Sequence, residues 1–209
     1  MATHLGVVLV GGRSSRFGRD KLREPWAGSE GGEWLVDQPI GALRRAGALR
    51  VLAAGSCDPS VARRFDEQIL DALADNGPLG GIVAALERLA LTPSVDAVVI
   101  LAGDLSHVRA ETVLALQDAA SADETLDAAV AVGQADPAAP AGQVSGPNAG
   151  SPLEPCVALY RRSALPPLRA ALGAPRVPSL QSLLARLAIV RVIRPAEELR
   201  NANRFEDLR

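Results

Sequence analysis

Short apolar runs alternate with segments of helical periodicity along most of the chain. Seven runs have the length and composition of strands, at residues 5–10, 50–54, 68–70, 97–102, 128–132, 155–160 and 189–193. Five segments space their apolar residues as amphipathic helices do, at residues 36–46, 79–91, 110–119, 163–172 and 179–188. Alternation of this kind is typical of βα repeats around a mostly parallel sheet.

The run Val98-Val-Ile-Leu101 is apolar at every position, so both of its faces are expected to be buried. Strands of a parallel sheet have this pattern because helices cover the sheet on both sides. The pattern therefore predicts an α/β fold, a three-layer sandwich with a Rossmann-like, mostly parallel central sheet.

Residues 134–154 interrupt this alternation. The segment is rich in Ala, Pro, Gly and Ser and has no periodicity. A connection of this length is usually either mobile or functional. Because apolar strands resume directly after it, we interpret residues 1–209 as a single domain with a flexible loop at about 134–154.

The composition argues against several functions. Aromatic residues make up 3% of the chain, too few for stacking platforms for single-stranded nucleic acid, and the net charge of −2 offers no basic field for a polyanion. With two cysteines and two histidines, a structural zinc site is not expected, and free thiols are a simpler interpretation than a disulfide. We therefore expect no nucleic-acid partner.

The cellular location follows from what the sequence does not contain. No secretory signal precedes the first apolar run, and no apolar run approaches the ~18 residues of a membrane span. We therefore expect a cytoplasmic protein with no membrane partner. As a separate expectation, the protein is either a monomer or a weak homo-oligomer.

A glycine-rich, basic loop follows the first predicted strand, with the sequence Leu9-Val-Gly-Gly-Arg-Ser-Ser-Arg-Phe-Gly-Arg-Asp-Lys21. Its glycines let the backbone approach a ligand closely, and successive N–H groups in such a turn can bind an anion. The loop matches neither G-x-x-x-x-G-K-[ST] nor G-x-G-x-x-G, and a loop of this composition can also be only a turn. The phosphate-binding candidates are Leu9, Val10, Gly11, Gly12, Ser14, Ser15, Arg16 and Lys21.

Two carboxylates and a second glycine turn also follow predicted strands, where ligands of open parallel sheets bind. Asp104 could hold Mg²⁺, although Asp104 or Ser106 could instead cap the helix near Ala110. Asp71 precedes the turn Asn76-Gly-Pro-Leu-Gly-Gly81, which is either a common helix start or a place where a helix N-terminus approaches a nucleotide.

These segments together resemble the molybdenum-cofactor nucleotidyltransferases. The loop resembles L-x-G-G-x-S-x-R-M-G-x-D-K, with Phe17 in place of Met, and the turn resembles G-P-L-x-G. Glu154-Pro-Cys-Val-Ala-Leu-Tyr160 resembles Q-P-L-x-A-L-Y, and the segment from Asn201 to Leu208 resembles N-x-N-T-P-x-D-L. Departures are Arg204-Phe205 in place of Thr-Pro, and Gly103-Asp-Leu-Ser106 in place of C-D-x-P. The matches extend from residue 5 to residue 208.

The resemblance implies a fold of the nucleotide-diphospho-sugar transferase type and transfer of a nucleoside monophosphate to the terminal phosphate of a pterin cofactor, with release of pyrophosphate. Leu9-Val-Gly-Gly12 is closer to the L-A-G-G of the guanylyl branch than to the A-A-G-x of the cytidylyl branch. GTP is therefore the expected donor, a molybdopterin-type molecule the acceptor, and Mg²⁺ the metal, with Mn²⁺ as a substitute.

The resemblance also implies roles for individual residues. Arg16, Lys21 and Asp104 are the catalytic candidates, and Asp104 is the metal ligand. Asn201 and Asn203 would lie near the metal or the phosphates, although either could instead cap the last short helix. Besides the phosphate-binding candidates, the nucleotide-binding residues are Asp71, Gly77, Pro78, Leu79, Gly80, Gly81 and Asp104.

Three other functions remain open at this point. The chain could be the cytidylyltransferase of the same cofactor, or another small-molecule phosphate nucleotidyltransferase acting on a sugar 1-phosphate, an isoprenoid precursor or phospholactate. It could also be a non-catalytic nucleotide-binding paralogue, against which the retained Lys21 and Asp104 argue. The attacking phosphate is ionised at neutral pH and needs no general base, so we interpret His107 as a loop surface residue.

Overall fold

Seven strands are found in the described part of the computed structural model, which comprises residues 4–11, 20–26, 32–70, 77–134, 152–202 and 207. The strands are β1 (His4–Leu9), β2 (Arg50–Ala54), β3 (Glu67–Ile69), β4 (Ala97–Ala102), β5 (Ala128–Gln134), β6 (Leu153–Arg161) and β7 (Ile189–Pro195). They form one sheet in the order β3-β2-β1-β4-β6-β5-β7. β6 runs antiparallel to β4 and β5, and all other neighbouring pairs are parallel, which confirms the predicted mostly parallel sheet.

Helices cover both faces of this sheet. They are α1 (Asp37–Arg45), α2 (Pro59–Ala62), α3 (Gly77–Ala90), α4 (Ala110–Ser121), α5 (Leu165–Leu172) and α6 (Leu180–Leu184). Val98 and Ile100 of β4 pack in the core on the side of α3 and α5, whereas Val99 and Leu101 pack on the side of α1 and α4. Successive strand residues point to opposite faces, so a strand between two helical layers is apolar throughout, as predicted.

The predicted elements are present, with differences at their ends. The predicted helix at 179–188 is wrong in its second half, because α6 ends at Leu184. The reason is an interaction with a distant residue: the Ala188 N–H donates to the Asp127 carboxylate at 2.9 Å, and the Ala188 carbonyl accepts from the Asp127 N–H at 2.7 Å. These bonds draw the chain into the sheet before another helical turn can form. The short helix α2 was not predicted, because four residues show no periodicity.

The segment at 134–154 is only partly described. Gln134 is the last residue of β5, and β6 already begins at Leu153, two residues before the predicted strand. Residues 135–151 lie outside the described residues, so the prediction of a flexible loop remains a prediction. None of the helices in the described ranges is long and apolar enough to cross a membrane.

The strand order locates a crevice. From β1 the chain moves outward through β2 and β3, and then returns to the other side of β1 as β4. Ligands of open α/β sheets bind where the strand order reverses in this way, beyond the carboxyl ends of the strands. Leu9 pairs with Ala102, so the chain leaves the sheet at the same level after β1 and after β4.

Candidate active site

A cleft of about 300 Å³ opens at the carboxyl ends of β1 and β4. Its walls come from the end of β1, the turn after β4, the first residues of β6 and the C-terminal segment at Asn201. A larger cleft, of about 440 Å³, lies beside His4 and Arg161, at the amino ends of β1 and β4. Position at the strand-order reversal, rather than size, identifies the smaller cleft as the candidate site.

An ion pair between Lys21 and Asp104 crosses this cleft. Lys21 Nζ lies 2.5 Å from Asp104 Oδ2, and the two side chains are 21% and 18% exposed. Of the three predicted catalytic residues, the structure therefore brings these two together, and Arg16 lies outside the described residues. A cation and a carboxylate in contact at a partly open cleft form a site to which phosphate and a metal ion could both be drawn.

Lys21 is held by a short 3₁₀ helix, Lys21–Arg23. The Asp20 carboxylate caps this helix by accepting from the Leu22 N–H at 3.0 Å, and the Leu22 side chain is buried in the core. The Val36 N–H donates to the Leu22 carbonyl at 3.3 Å and attaches the helix to the start of α1. Asp20 also lines the cleft, a position that was not predicted for it.

Asp104 lies in the turn after β4 and does not cap α4. The N-cap of α4 is Arg109, which makes no side-chain cap hydrogen bond. The alternative that Asp104 or Ser106 starts this helix is therefore wrong; the Ser106 hydroxyl instead contacts His107 Nδ1 at 2.8 Å. His107 is exposed, as predicted. The Asp104 carboxylate is left facing the cleft and Lys21.

The start of the glycine-rich loop lies at the cleft. Leu9, Val10 and Gly11 line it, whereas the predicted residues Gly12, Ser14 and Ser15 lie outside the described residues. The support beneath Gly11 was not predicted from the sequence. Gly55, after β2, has φ +108°, and a Cβ there would lie 2.8 Å from the Gly11 nitrogen. The glycine directly after the apolar run 50–54 was the available signal for this contact.

The second glycine turn contributes less to the cleft than predicted. α3 begins at Gly77, and Pro78 lines the cleft. Leu79 is 2% exposed and packs in the core, Gly81 is buried, and Gly80 lines a separate groove between α3 and α5. Within the described part of this turn, Pro78 alone lines the cleft. Asp71 lies outside the described residues.

The C-terminal segment reaches the cleft beside Asp104. Asn201 forms a β-bridge with Leu105, and the Ala202 N–H donates to the Asp104 carbonyl at 2.8 Å. The 3₁₀ helix that precedes this segment is Ala196–Leu199, with Arg200 as its C-cap. Most residues after Asn201 lie outside the described residues, so the alternative that Asn201 or Asn203 caps the last short helix stays a prediction. Asn201 lines the cleft, as the resemblance implied, and Asn203 lies outside the described residues.

Two residues at the start of β6, Glu154 and Cys156, also line the cleft. Because β6 is antiparallel to β4, its first residues lie beside the last residues of β4. Burial raises the pKa of Glu154. Burial, together with the carboxylates of Glu154 and Asp104, raises the pKa of Cys156 to about 12. Cys156 is therefore a neutral thiol near pH 7 and not a nucleophile. Both cysteines are free thiols, as predicted.

Comparison with known proteins supports the resemblance seen in the sequence. The MobA-like NTP transferase domain matches residues 6–192. Over 85 residues the chain is 42% identical to a molybdenum cofactor guanylyltransferase of Xanthomonas euvesicatoria, an alignment covering 41% of this chain and 40% of the relative. A probable molybdenum cofactor guanylyltransferase of Opitutus terrae is 35% identical over 105 residues, half of each chain. The chain thus aligns with half or less of the length of these two relatives.

A more distant relative aligns over more of its length. A probable molybdenum cofactor guanylyltransferase of Chloroflexus aggregans is 29% identical over 166 residues, which cover 78% of this chain and 68% of that protein. The first two relatives therefore have the higher sequence identity, but over a shorter region.

Solved structures share the fold. The molybdopterin-guanine dinucleotide biosynthesis protein A of Archaeoglobus fulgidus superposes with a TM-score of 0.67 at 22% identity, covering 97% of this chain and 94% of that chain. A 4-diphosphocytidyl-2C-methyl-D-erythritol synthase of Anaerococcus prevotii gives 0.68 at 11% identity, covering 99% and 95%. At these identities the likeness concerns the fold alone. It confirms the α/β nucleotidyltransferase fold of the nucleotide-diphospho-sugar transferase type.

Proposed function

This chain belongs to the MobA-like NTP transferase family, and from that premise we propose that it transfers GMP from GTP to the terminal phosphate of a molybdopterin-type cofactor. The products are the guanine dinucleotide form of the cofactor and pyrophosphate. The names of the relatives support this reaction. The cytoplasm is the proposed location, which agrees with two free thiols, since disulfides are rare in that compartment.

The observation that carries the proposal is the Lys21–Asp104 pair at the strand-order reversal. Nucleotidyl transfer brings two anions together, so it requires positive charge at the triphosphate and a carboxylate to hold a metal ion. Lys21 is the only lysine of the sequence, and the other 21 of its 22 cationic side chains are arginines. A compact ammonium differs from a planar guanidinium in size and hydration, so this cleft uses a cation type found nowhere else in the chain.

In the proposed reaction an oxygen of the acceptor phosphate attacks the α-phosphorus of GTP. The new P–O bond forms as the bond between the α-phosphorus and the α,β-bridging oxygen breaks, and pyrophosphate leaves with that oxygen. The acceptor is already ionised, so no side chain has to remove a proton. Lys21 and the Gly11 N–H offset negative charge on the phosphates, and we assign Arg16 the same role.

The oxygen donors of the cleft fit a hard divalent cation. Asp104, Glu154 and Asn201 all line it, and carboxylate and amide oxygens are ligands that Mg²⁺ accepts. Across the described ranges, no group of three or more His, Cys, Asp or Glu could hold a metal by itself. We propose that Asp104 holds Mg²⁺, with water and phosphate oxygens as the other ligands, and that Mn²⁺ can replace it. When bound, the ion supplies positive charge to the phosphates.

The first experiment is a calorimetric titration of the purified protein with GTP, CTP, ATP and UTP in the presence of Mg²⁺. The proposal expects GTP to bind most tightly. The tight, Mg²⁺-dependent binding should be lost in Lys21→Ala and Asp104→Ala but kept in Arg45→Gln, an exposed change on α1. Preference for CTP would move the function to cytidylyl transfer. If no nucleotide binds, the proposed activity is wrong. Pyrophosphate release on mixing GTP with molybdopterin then tests the acceptor.

The single lysine makes a second test possible. Pyridoxal 5′-phosphate carries an aldehyde and a phosphate, and borohydride reduction fixes it covalently to an amine. Apart from the α-amino group, Lys21 is the only primary amine that can react. The proposal expects labelling of the tryptic peptide that contains Lys21, and protection by GTP with Mg²⁺. If GTP does not reduce the labelling, Lys21 does not lie in the nucleotide site.

A further inference from the structure

A buried carboxylate, that of Glu198, connects the C-terminal segment to α4. Glu198 is 4% exposed, and its Oε2 accepts a hydrogen bond from Arg194 Nη2 at 2.8 Å. The same oxygen accepts from the hydroxyl of Thr112, which is fully buried in the first turn of α4. The carboxylate therefore lies at the N-terminus of a twelve-residue helix, where negative charge is favourable.

An ion pair with one partner buried this deeply needs an explanation other than stability. The desolvation of two charges can exceed their attraction, so replacing such a pair by apolar residues is often neutral. Polar groups in a core can instead select one arrangement of the elements that they connect. Here the elements are the start of α4 and the chain that leaves β7.

The segment directly after Glu198 runs beside the turn that carries Asp104. The Ser106 N–H donates to the Arg200 carbonyl at 3.4 Å, and Asn201 bridges to Leu105. The Ala202 N–H donates to the Asp104 carbonyl at 2.8 Å. These contacts bring Asn201 to the cleft and fix the backbone of Asp104 at the same time.

We propose that Glu198, with Arg194 and Thr112, is a positioning residue that holds Asn201 and the Asp104 turn in the arrangement that binds the nucleotide. Glu198 touches no reacting atom and acts through Asn201. The inference rests on the proposed function in one respect, namely that the cleft binds a nucleotide.

The first arm of the test measures local order without any ligand. Glu198→Gln removes the charge that pairs with Arg194 and keeps the shape of the side chain. Glu197→Gln is the matched control, since Glu197 is exposed in the same 3₁₀ helix. In Glu198→Gln we expect the Ser106 and Ala202 amides to exchange with solvent about tenfold faster. The Val99 amide of β4 should keep its rate. Unchanged exchange at Ser106 and Ala202 would overturn the proposal.

The second arm is a double-mutant cycle on the affinity for Mg²⁺·GTP. Glu198→Gln and Asn201→Ala should each weaken binding about fivefold, and the double variant should be no weaker than Asn201→Ala alone. If Glu198→Gln leaves the affinity unchanged, or if the two losses multiply as those of independent sites do, the proposal is overturned. Thr112→Val, which removes one donor at nearly constant volume, is the milder second variant and should show the same pattern.

The two arms separate this inference from the proposed function. If the wild-type protein does not bind Mg²⁺·GTP, the proposed function is wrong. The exchange rates of Ser106 and Ala202 then still decide whether the cluster of Glu198, Arg194 and Thr112 holds the segment.

Discussion

Lys21 Nζ and Asp104 Oδ2 lie 2.5 Å apart, although one residue follows β1 and the other follows β4. Each side chain is only about one-fifth exposed, so the cost of desolvating the two charges offsets much of their attraction. The melting temperature of each variant at these positions is therefore measured beside its activity, which separates an effect on folding from an effect on the chemistry of the cleft.

Lys21→Arg keeps the charge and changes its shape. The bulkier guanidinium cannot occupy the position of the ammonium beside Asp104, so we expect the rate of pyrophosphate release to fall about 100-fold. The melting temperature should change by no more than a few degrees. Arg45→Lys makes the reverse exchange at an exposed position and should leave the rate unchanged. A Lys21→Arg enzyme of normal rate would contradict the role of the ammonium.

Asp104→Asn should separate nucleotide binding from metal binding. Without the carboxylate, Lys21 is no longer paired, so GTP binding in EDTA is expected to be equal or stronger. The increase in affinity that Mg²⁺ produces should disappear, and turnover should fall about 100-fold. Titrations with GTP in EDTA and in Mg²⁺ measure both effects. The control is Asp96→Asn, a change at an exposed residue that lines the larger cleft at the amino ends of β1 and β4. A persistent Mg²⁺ effect in Asp104→Asn would contradict the assignment of the metal ligand.

Gly55→Ala tests the support beneath the glycine-rich loop. The new Cβ would lie 2.8 Å from the nitrogen and 2.9 Å from the Cα of Gly11, so the start of the loop must move. Gly47→Ala is the matched control, because Gly47 has φ +84° and nothing within 4 Å of a Cβ. In Gly47→Ala the free energy of unfolding should fall only by the cost of placing a side chain at positive φ, about 1–2 kcal/mol. Gly55→Ala should lose more stability and also nucleotide affinity, measured by urea unfolding and calorimetry. Equal effects of the two substitutions would rule out the clash with Gly11.

His4 makes stability depend on pH. Burial lowers its pKa from 6.5 to about 4, and its Nδ1 contacts Gln117 Nε2 at 2.5 Å in the core. Between these values the unfolded chain binds a proton at this residue that the folded chain does not. The free energy of unfolding should therefore decrease as the pH falls from 6.5 to 4, by roughly 3 kcal/mol from this residue.

Urea unfolding at several pH values measures this slope. His4→Gln should remove the contribution of His4, whereas His107→Gln, a change at an exposed histidine, should leave it in place. If His4→Gln and the wild-type protein show the same slope from pH 6.5 to 4, burial of His4 does not cause it.

Local patterns were sufficient for much of this protein. Apolar periodicity predicted the seven strands and the two helical layers, because the order of apolar and polar residues within a short segment reflects which of its faces are buried. The position of Asp104 after the most apolar strand predicted its place at the cleft, because the carboxyl ends of parallel strands lie at one edge of the sheet. The glycines and cations of residues 9–21 predicted where phosphate binds, and that prediction awaits its test.

Contacts between distant residues decided the rest. The antiparallel direction of β6 places Glu154 and Cys156 in the cleft. The pattern of apolar and polar residues within one strand does not reveal whether its neighbour runs parallel or antiparallel to it. Gly55 beneath Gly11, and Glu198 against Thr112, depend on elements that meet only after the sheet is assembled. The end of α6 likewise depends on the bonds between Ala188 and Asp127. The sequence by itself determined which segments are strands or helices and which ends carry polar groups, because these follow from neighbouring residues. Only the tertiary structure decided which of those groups touch, because such contacts depend on strand order and direction.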